Sequence, residues 1–156
     1  MHVRLIAVGD KQPTWVDTAF ADYVARLPHQ WKFRLDRMAT GHRSKNSNGQ
    51  AAIAAEGRKV LDSVRPSDFV ILLDERGCGL SSRELSEQLG EWQSAGRDLC
   101  FLIGGPDGVS ADCLSRADFR WSLSRMTLPH GLARVMFAEQ LYRACTLIQG
   151  HPYHRD

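Results

Sequence analysis

The 156-residue chain is predicted to form one α/β domain, 1–156, with a three-layer, mostly parallel sheet. Short apolar runs alternate with longer amphipathic segments along the whole sequence, a pattern typical of strands and helices that alternate around a parallel sheet. The runs 69–73 and 99–103 are apolar at every position, as in strands buried on both faces. The length and the 43% hydrophobic content suit a single globular domain, and no repeat or linker divides the chain.

The first half of the sequence predicts four elements: a strand at 3–8, a helix at 13–27, a strand at 31–35 and a helix at 50–63. Pro13 suits the first turn of its helix. The apolar residues at four-residue spacing in that helix predict its buried face, and they are Trp15, Ala19, Tyr23 and Leu27. The polar, basic segment 40–49 is predicted to be a loop.

The second half predicts a strand at 69–73 with an exit loop at 74–79, a helix to about 95, a strand at 99–103, a short helix from Ser110, a strand near 119–123, a loop at 124–130 and a helix at 131–149. Ser81 or Ser82, with Glu84 following, predicts a capping box. The last helix is apolar around most of its circumference, which predicts burial on more than one side.

Charge and cysteine usage narrow the class of protein. Residues 1–45 carry eight Lys/Arg and four Asp/Glu, 46–112 carry six and eleven, and 113–156 carry six and three. Two basic ends indicate an anionic partner, with ordinary solvated surface as the alternative. Four dispersed cysteines predict reduced thiols and a cytoplasmic protein. We expect no signal peptide or membrane span.

Three segments follow predicted strands, where open α/β sheets bind ligands: Leu73-Asp74, 103–108 and 122–130. Glycines in the second segment allow close approach of backbone to a ligand, although taken alone they favour a plain tight turn. No P-loop, dinucleotide fingerprint, nucleophile elbow or H-E-x-x-H motif occurs. His151 and His154 have no third candidate ligand nearby, so we predict no metal.

Longer sequence motifs indicate a family. The chain contains IGGPDG, SLSRMTLPHGLARVMFAEQLYRA and a terminal HPYHRD, and near the other end LIAVGDKQPTWVDTAFADYVARLP and GHRSKN. Together they resemble the RlmH (YbeA-like) family of the SPOUT class over essentially the whole chain. The resemblance implies a trefoil-knotted, homodimeric methyltransferase that uses S-adenosylmethionine. Its implied target is N3 of a pseudouridine in helix 69 of 23S ribosomal RNA.

The resemblance also implies site residues. The residues expected to bind S-adenosylmethionine are Leu73, Gly104, Gly105, Ser124, Arg125, Met126, Thr127, Leu128 and Pro129. The cations expected to contact RNA are Arg43, Lys45 and Arg134, because phosphate contacts dominate nucleic-acid affinity.

The terminal segment 151–155 is predicted to belong to the catalytic centre and to reach the partner's cofactor in a dimer. His154 is the expected base, since an imidazole accepts a proton near neutral pH, and Glu139 is the alternative base. Tyr153 is expected to stack on the target base, with Arg143 and Arg155 stabilising an anion or a phosphate. Two other functions stay open: a non-catalytic ribosome-binding or RNA-binding module, and a methyltransferase of the same fold that acts on tRNA.

Overall fold

The computed structural model describes residues 1–9, 11–45 and 49–154. In chain order its elements are β1 (His2–Val8), α1 (Thr14–Val24), β2 (Lys32–Met38), α2 (Gln50–Ser63), β3 (Phe69–Gly79), α3 (Ser82–Ser94), β4 (Leu99–Ile103), α4 (Ala111–Arg116), β5 (Phe119–Ser122) and α5 (His130–Ile148). Among the helices of these ranges, none is long and apolar enough to cross a membrane.

The five strands form one sheet in the order β2-β1-β4-β3-β5, and every neighbouring pair is parallel. Alternate side chains of the central strands enter two separate apolar layers. Phe101 packs with residues of α1, α3 and α5 on one face, whereas Leu102 packs with residues of α2 and α4 on the other. The predicted three-layer α/β architecture is confirmed, and the described sheet is entirely parallel.

β3 is longer than its apolar run. The predicted exit loop 74–79 is wrong, because the strand continues past an irregularity between Leu73 and Cys78 and pairs again with β5. Gly77 permits this pairing, since a Cβ there would lie 2.6 Å from the carbonyl carbon of Arg120. A polar, glycine-containing strand end has no apolar pattern of its own, so its pairing partner determines its structure.

The predicted buried face of α1 is confirmed in part. Val16 and Phe20 are buried, whereas Trp15 is 56% exposed. The helix packs against the start of α5, where a Cβ on Gly131 would lie 2.9 Å from Cγ2 of Val16. Leu27 is buried and Tyr23 is half-buried against the core, as predicted, so the prediction was wrong at the start of the helix and correct toward its end.

The predicted capping box at α3 is confirmed. Ser81 Oγ accepts the Glu84 N–H at 3.2 Å, and the Glu84 carboxylate accepts the Ser81 N–H at 2.7 Å. Ser81→Ala should lower the free energy of unfolding by about 1 kcal/mol, the usual contribution of such a cap. Urea denaturation measures this, with exposed Ser115→Ala on α4 as the control. Equal stabilities of the two variants would contradict the prediction.

Candidate functional site

An open cleft of about 800 Å³ lies where β3, β4 and β5 end. Small-molecule sites typically have volumes of this order. Its walls come from residues 73–76, 103–109 and 123–130 apart from Arg125, with three more side chains from Leu114, Arg120 and Ala133. The three segments that the sequence places after strands therefore meet in one cavity.

Eight of the nine expected cofactor residues line this cleft: Leu73, Gly104, Gly105, Ser124, Met126, Thr127, Leu128 and Pro129. Arg125 is exposed and is not among the lining residues. Met126, its neighbour, presents an apolar side chain that is 75% exposed. The structure therefore brings together the expected set with the exception of Arg125.

Hydrogen bonds shape the segment that follows β5. Ser124 Oγ accepts the N–H of Met126 at 2.9 Å, and the Ser122 hydroxyl donates to the Ser124 carbonyl at 2.9 Å. The Thr127 hydroxyl donates to the Glu75 carboxylate at 3.3 Å. These bonds fix the turn and tie it to β3, so the cleft has a defined wall on this side.

Asp74 forms an acidic part of the same wall. Its carboxylate accepts the Arg76 N–H at 3.0 Å and the Arg120 Nε at 2.9 Å. Burial alone would raise the pKa of Asp74, but these two hydrogen bonds outweigh it and the pKa is lowered. Asp74 is therefore ionised at neutral pH and accepts hydrogen bonds.

Arg43 joins the basic loop to the cleft instead of standing free in solvent. Its Nη1 lies 2.6 Å from Oε1 of buried Glu56, and its Nε lies 2.6 Å from Oδ2 of Asp107. Hydrogen bonds to Glu56 and then to Asp107 raise the pKa of Arg43. Two carboxylates therefore hold Arg43 in place at the cleft, and its contact with RNA stays a prediction. Lys45 is exposed.

Arg134 is not on the surface, so its assignment as an RNA contact is wrong for this chain. The side chain is 0% exposed, and Nη2 donates to the Gly9 carbonyl at 2.7 Å. Burial, and then the charge of Arg37, lower the pKa of Arg134. Arginine is almost never fully buried without a partner, which is why the sequence indicated a surface position.

Three of the expected catalytic residues form one cluster on α5 and the tail. Glu139 Oε1 accepts from Arg143 Nε at 3.0 Å and from the Tyr153 hydroxyl at 3.2 Å. The Arg143 guanidinium lies 5.1 Å from the Tyr153 ring centroid. Burial, and then the negative charge of Glu139, raise the pKa of Tyr153 to about 12. The phenol therefore keeps its proton at neutral pH.

His154 lies beside this cluster, half-buried, and its Nδ1 is buried without a hydrogen-bond partner among the described residues. Arg155, the last expected catalytic residue, lies outside the described residues. In residues 1–9, 11–45 and 49–154, no group of three or more His, Cys, Asp or Glu side chains is arranged to hold a metal ion.

Within one chain the cluster and the cleft are separate. His130, the first residue of α5, lines the cleft, and Glu139 follows nine residues later, about 14 Å along the helix axis. Neither Glu139, Arg143, Tyr153 nor His154 lines the cleft. Sequence motifs indicated both groups of residues, but not their separation. They also gave no role to His130, Glu56 or Asp107.

Comparison with known proteins gives consistent matches. A family model described as "Predicted SPOUT methyltransferase" matches residues 1–154. The chain is 44% identical over 156 residues to the ribosomal RNA large subunit methyltransferase H of Thioalkalivibrio sulfidiphilus, and both chains are covered in full. It is 46% identical over 155 residues to the protein of the same description from Methylococcus capsulatus, with 99% and 100% covered.

The chain is also similar to a solved structure, that of a probable methylase family protein from Haemophilus influenzae. The match covers 99% of this chain and 70% of that one, with a TM-score of 0.56 and 11% sequence identity. At this identity the likeness concerns the fold alone, and it supports the α/β architecture described above.

Proposed function

This chain belongs to the SPOUT methyltransferase family, and on that premise we propose that it transfers a methyl group from S-adenosylmethionine to large-subunit ribosomal RNA. The observation that carries the proposal is the similarity of the whole chain to relatives described as ribosomal RNA large subunit methyltransferase H, 44–46% identical from end to end. An RNA substrate of this kind places the protein in the cytoplasm.

The finer proposal is that the target is N3 of a pseudouridine in helix 69 of 23S ribosomal RNA. It rests on the joint occurrence of the LIGGPDG, SLSRMTLPH and HPYHR motifs. The proposal includes a trefoil knot around the cleft, which would hold the three cleft segments together because threaded loops cannot separate.

The residues of the cleft fit S-adenosylmethionine. Gly104 and Gly105 present backbone without side chains, as a bound adenine requires for its ring nitrogens. Exposed Met126 offers apolar contact, and ionised Asp74 offers an acceptor for a ligand ammonium or hydroxyl group. We propose that the eight lining residues of the expected set hold this cofactor.

S-adenosylmethionine, when bound, supplies a methyl group on a positively charged sulfur. The N3 position of pseudouridine carries a proton, so the protein must provide a base. Glu139 already accepts three hydrogen bonds, from Arg143, Tyr153 and Gln140, whereas His154 Nδ1 accepts none from described residues. This difference favours His154 as the base. Protonated Tyr153 donates a hydrogen bond, and Arg143 keeps a positive charge beside it.

Because the cleft and the tail cluster are separate in one chain, we propose a symmetric dimer in which the tail of one protomer completes the cleft of its partner. Trp15 is 56% exposed and Leu132 is 37% exposed. They lie at the starts of α1 and α5, which pack side by side through Val16 and Gly131. Exposed large apolar side chains on adjacent helices are typical of protein interfaces.

Sedimentation analysis at micromolar concentration should therefore give twice the 17.5 kDa chain mass. The double variant Trp15→Glu and Leu132→Glu should sediment as a monomer, because two buried charges at an interface are costly. Arg58→Glu, which is exposed on α2 at the opposite face of the sheet, controls for the added negative charge. A wild-type monomer would contradict the dimer.

We propose that Lys45, which is exposed in the basic loop, contacts RNA. It lies two residues beyond Arg43, which is tied to Asp107 at the cleft. Lys45→Glu should raise the KM for RNA several-fold and reduce the salt dependence by about one phosphate contact. Exposed Lys32→Glu, at the start of β2 and so at the opposite end of that strand from the basic loop, is the matched control. Unchanged KM and salt slope would remove Lys45 from the RNA surface.

The decisive experiment measures tritium transfer from labelled S-adenosylmethionine to free 23S RNA, to large subunits, to assembled ribosomes and to tRNA. Mapping of the product should place the methyl group on N3 of a helix 69 pseudouridine. Transfer to tRNA alone would favour the related methyltransferase function. Cofactor binding without transfer to any RNA, or RNA binding without cofactor binding, would favour the non-catalytic module.

A further inference from the structure

His130 links three segments that are distant in the sequence. Its Nδ1 lies 3.2 Å from the Gly104 carbonyl oxygen in the cleft wall, and its Nε2 lies 2.9 Å from Arg134 Nη2. The same Nη2 donates to the Gly9 carbonyl at 2.7 Å. The chain of contacts therefore joins the end of β1, the start of α5 and the cleft loop after β4.

The chemistry of Arg134 decides which nitrogen of His130 carries the proton. A guanidinium group donates hydrogen bonds and accepts none. His130 Nε2 must therefore be the acceptor, which leaves the proton on Nδ1, where it is donated to the Gly104 carbonyl. The neutral ring is favoured, because burial and then the charge of Arg134 lower the pKa of His130.

The peptide that His130 contacts lies in a closely packed glycine turn. A Cβ on Gly104 would lie 2.5 Å from Cγ1 of Val109, and one on Gly105 would lie 2.8 Å from Oε2 of Glu56. Glycine peptides rotate readily because no side chain restricts them. The bond from His130 to the Gly104 carbonyl is thus the contact that sets which polar groups of this peptide face the cleft.

We propose that His130 is a positioning residue, held in one tautomer by buried Arg134, that orients the Gly104-Gly105 peptide for binding of the adenosine-containing cofactor. This inference rests on the proposed function for the identity of the ligand. In this proposal the role of buried Arg134 is to hold the His130 ring in one tautomer. His130 itself does not take a proton from the substrate.

Two amide variants separate the two contacts of the ring. His130→Asn places an amide nitrogen near the position of Nδ1 and can still donate to the Gly104 carbonyl. His130→Gln places its amide near the position of Nε2 and keeps a contact with Arg134 while losing the one with Gly104. His130→Ala loses both. His29→Asn, at an exposed position, is the control.

Calorimetric titration with S-adenosylmethionine should show wild-type affinity for His130→Asn and for the His29 control. His130→Ala and His130→Gln should bind about tenfold more weakly, the usual effect of one lost buried hydrogen bond. Thermal unfolding, measured in parallel, identifies any variant whose loss of binding reflects loss of folding. A purely structural role at the start of α5 predicts equal affinity for the Asn and Gln variants.

The pH profile gives an independent readout. Besides Arg134, the charged groups that act on this pair among the described residues are Arg37 on β2 and Asp17 on α1, both through Arg134. Acidification protonates His130 Nε2, so two donors face each other, and the repulsion from Arg134 displaces the ring whose Nδ1 donates to the Gly104 carbonyl. Wild-type affinity should therefore fall as the pH drops below the ordinary imidazole range of about 6.5, whereas the affinity of His130→Asn should stay level.

Equal affinity of all His130 variants, or parallel pH profiles of wild type and His130→Asn, would overturn the inference while leaving the proposed function intact. Failure of the wild-type protein to bind S-adenosylmethionine at any pH would instead overturn the proposed function. Nitrogen NMR shifts of the ligand-free protein test the geometry separately. They should show Nδ1 protonated and Nε2 unprotonated at neutral pH, and the opposite tautomer would also overturn the inference.

Discussion

Gly105→Val should reduce the affinity for S-adenosylmethionine by roughly a hundredfold. This corresponds to about 3 kcal/mol, the upper end of the usual cost of inserting a larger side chain into a packed site. A Cβ at Gly105 would lie 2.8 Å from Glu56 Oε2 and 3.2 Å from Cγ1 of Val8. Glu56 cannot move away easily, because its Oε1 accepts from Gly41 N–H at 2.8 Å and from Arg43 Nη1. The loop itself must shift, and the cleft wall shifts with it.

Calorimetry measures this loss, and thermal unfolding shows whether the variant is folded. Gly90→Val in α3 is the matched control, because a Cβ there meets nothing within 4 Å. The new side chain points toward Glu56, so it acts on the cofactor site by displacing the loop. Unchanged cofactor affinity in Gly105→Val would remove the glycine loop from the cofactor site.

The parts of the fold that the sequence predicted are those in which local pattern and tertiary structure agree. The run 99–103 is apolar at every position and forms β4 with the predicted bounds. The Ser81–Glu84 capping box depends on residues three apart, so it is visible without knowledge of the fold. Predictions of this kind need no information about distant partners.

Sequence analysis missed contacts wherever a distant partner decides the structure. It did not indicate the ion pairs of Arg43 with Glu56 and Asp107, which are 13 and 64 residues away. Arg134 was expected on the surface, but the carbonyl of Gly9, 125 residues away, accepts its hydrogen bond inside the domain. No local pattern in the sequence reports such contacts. The motifs identified the residues that line the cleft. They did not predict the contact between His130 and the Gly104 carbonyl that holds the cleft loop.

In the candidate catalytic centre, too, the sequence predicted which residues belong together but not where they lie relative to the cleft. Motif resemblance indicated Glu139, Arg143 and Tyr153 together, and the structure places them in contact. These residues are far from the cleft because α5 begins at the cleft and carries them away from it. The sequence predicted this helix, but it did not show that its two ends belong to separate sites. A tail that serves the partner's cleft reconciles the two sites, and removal of the tail tests this directly.

Truncation after Gly150 should leave S-adenosylmethionine affinity within about twofold of wild type and lower the rate of methyl transfer at least a hundredfold, the usual contribution of a general base. None of the tail residues 151–154 lines the cleft within the same chain, so the cleft loops keep their structure. The truncation removes Tyr153 and its hydrogen bond to Glu139, and it removes His154. Single-turnover kinetics at saturating cofactor measure the loss.

Two point variants make the prediction specific to the base. His154→Asn should reproduce most of the loss, whereas His151→Asn should retain near wild-type turnover, because His151 is exposed and its ring bonds only to the Tyr153 N–H among the described residues. Mixed dimers of a truncated protomer with a protomer carrying Gly105→Val should recover activity at one site, since the intact tail and the intact cleft then belong to different chains. Wild-type turnover of the truncated protein would show that the tail is not catalytic, and inactive mixed dimers would show that each protomer uses its own tail.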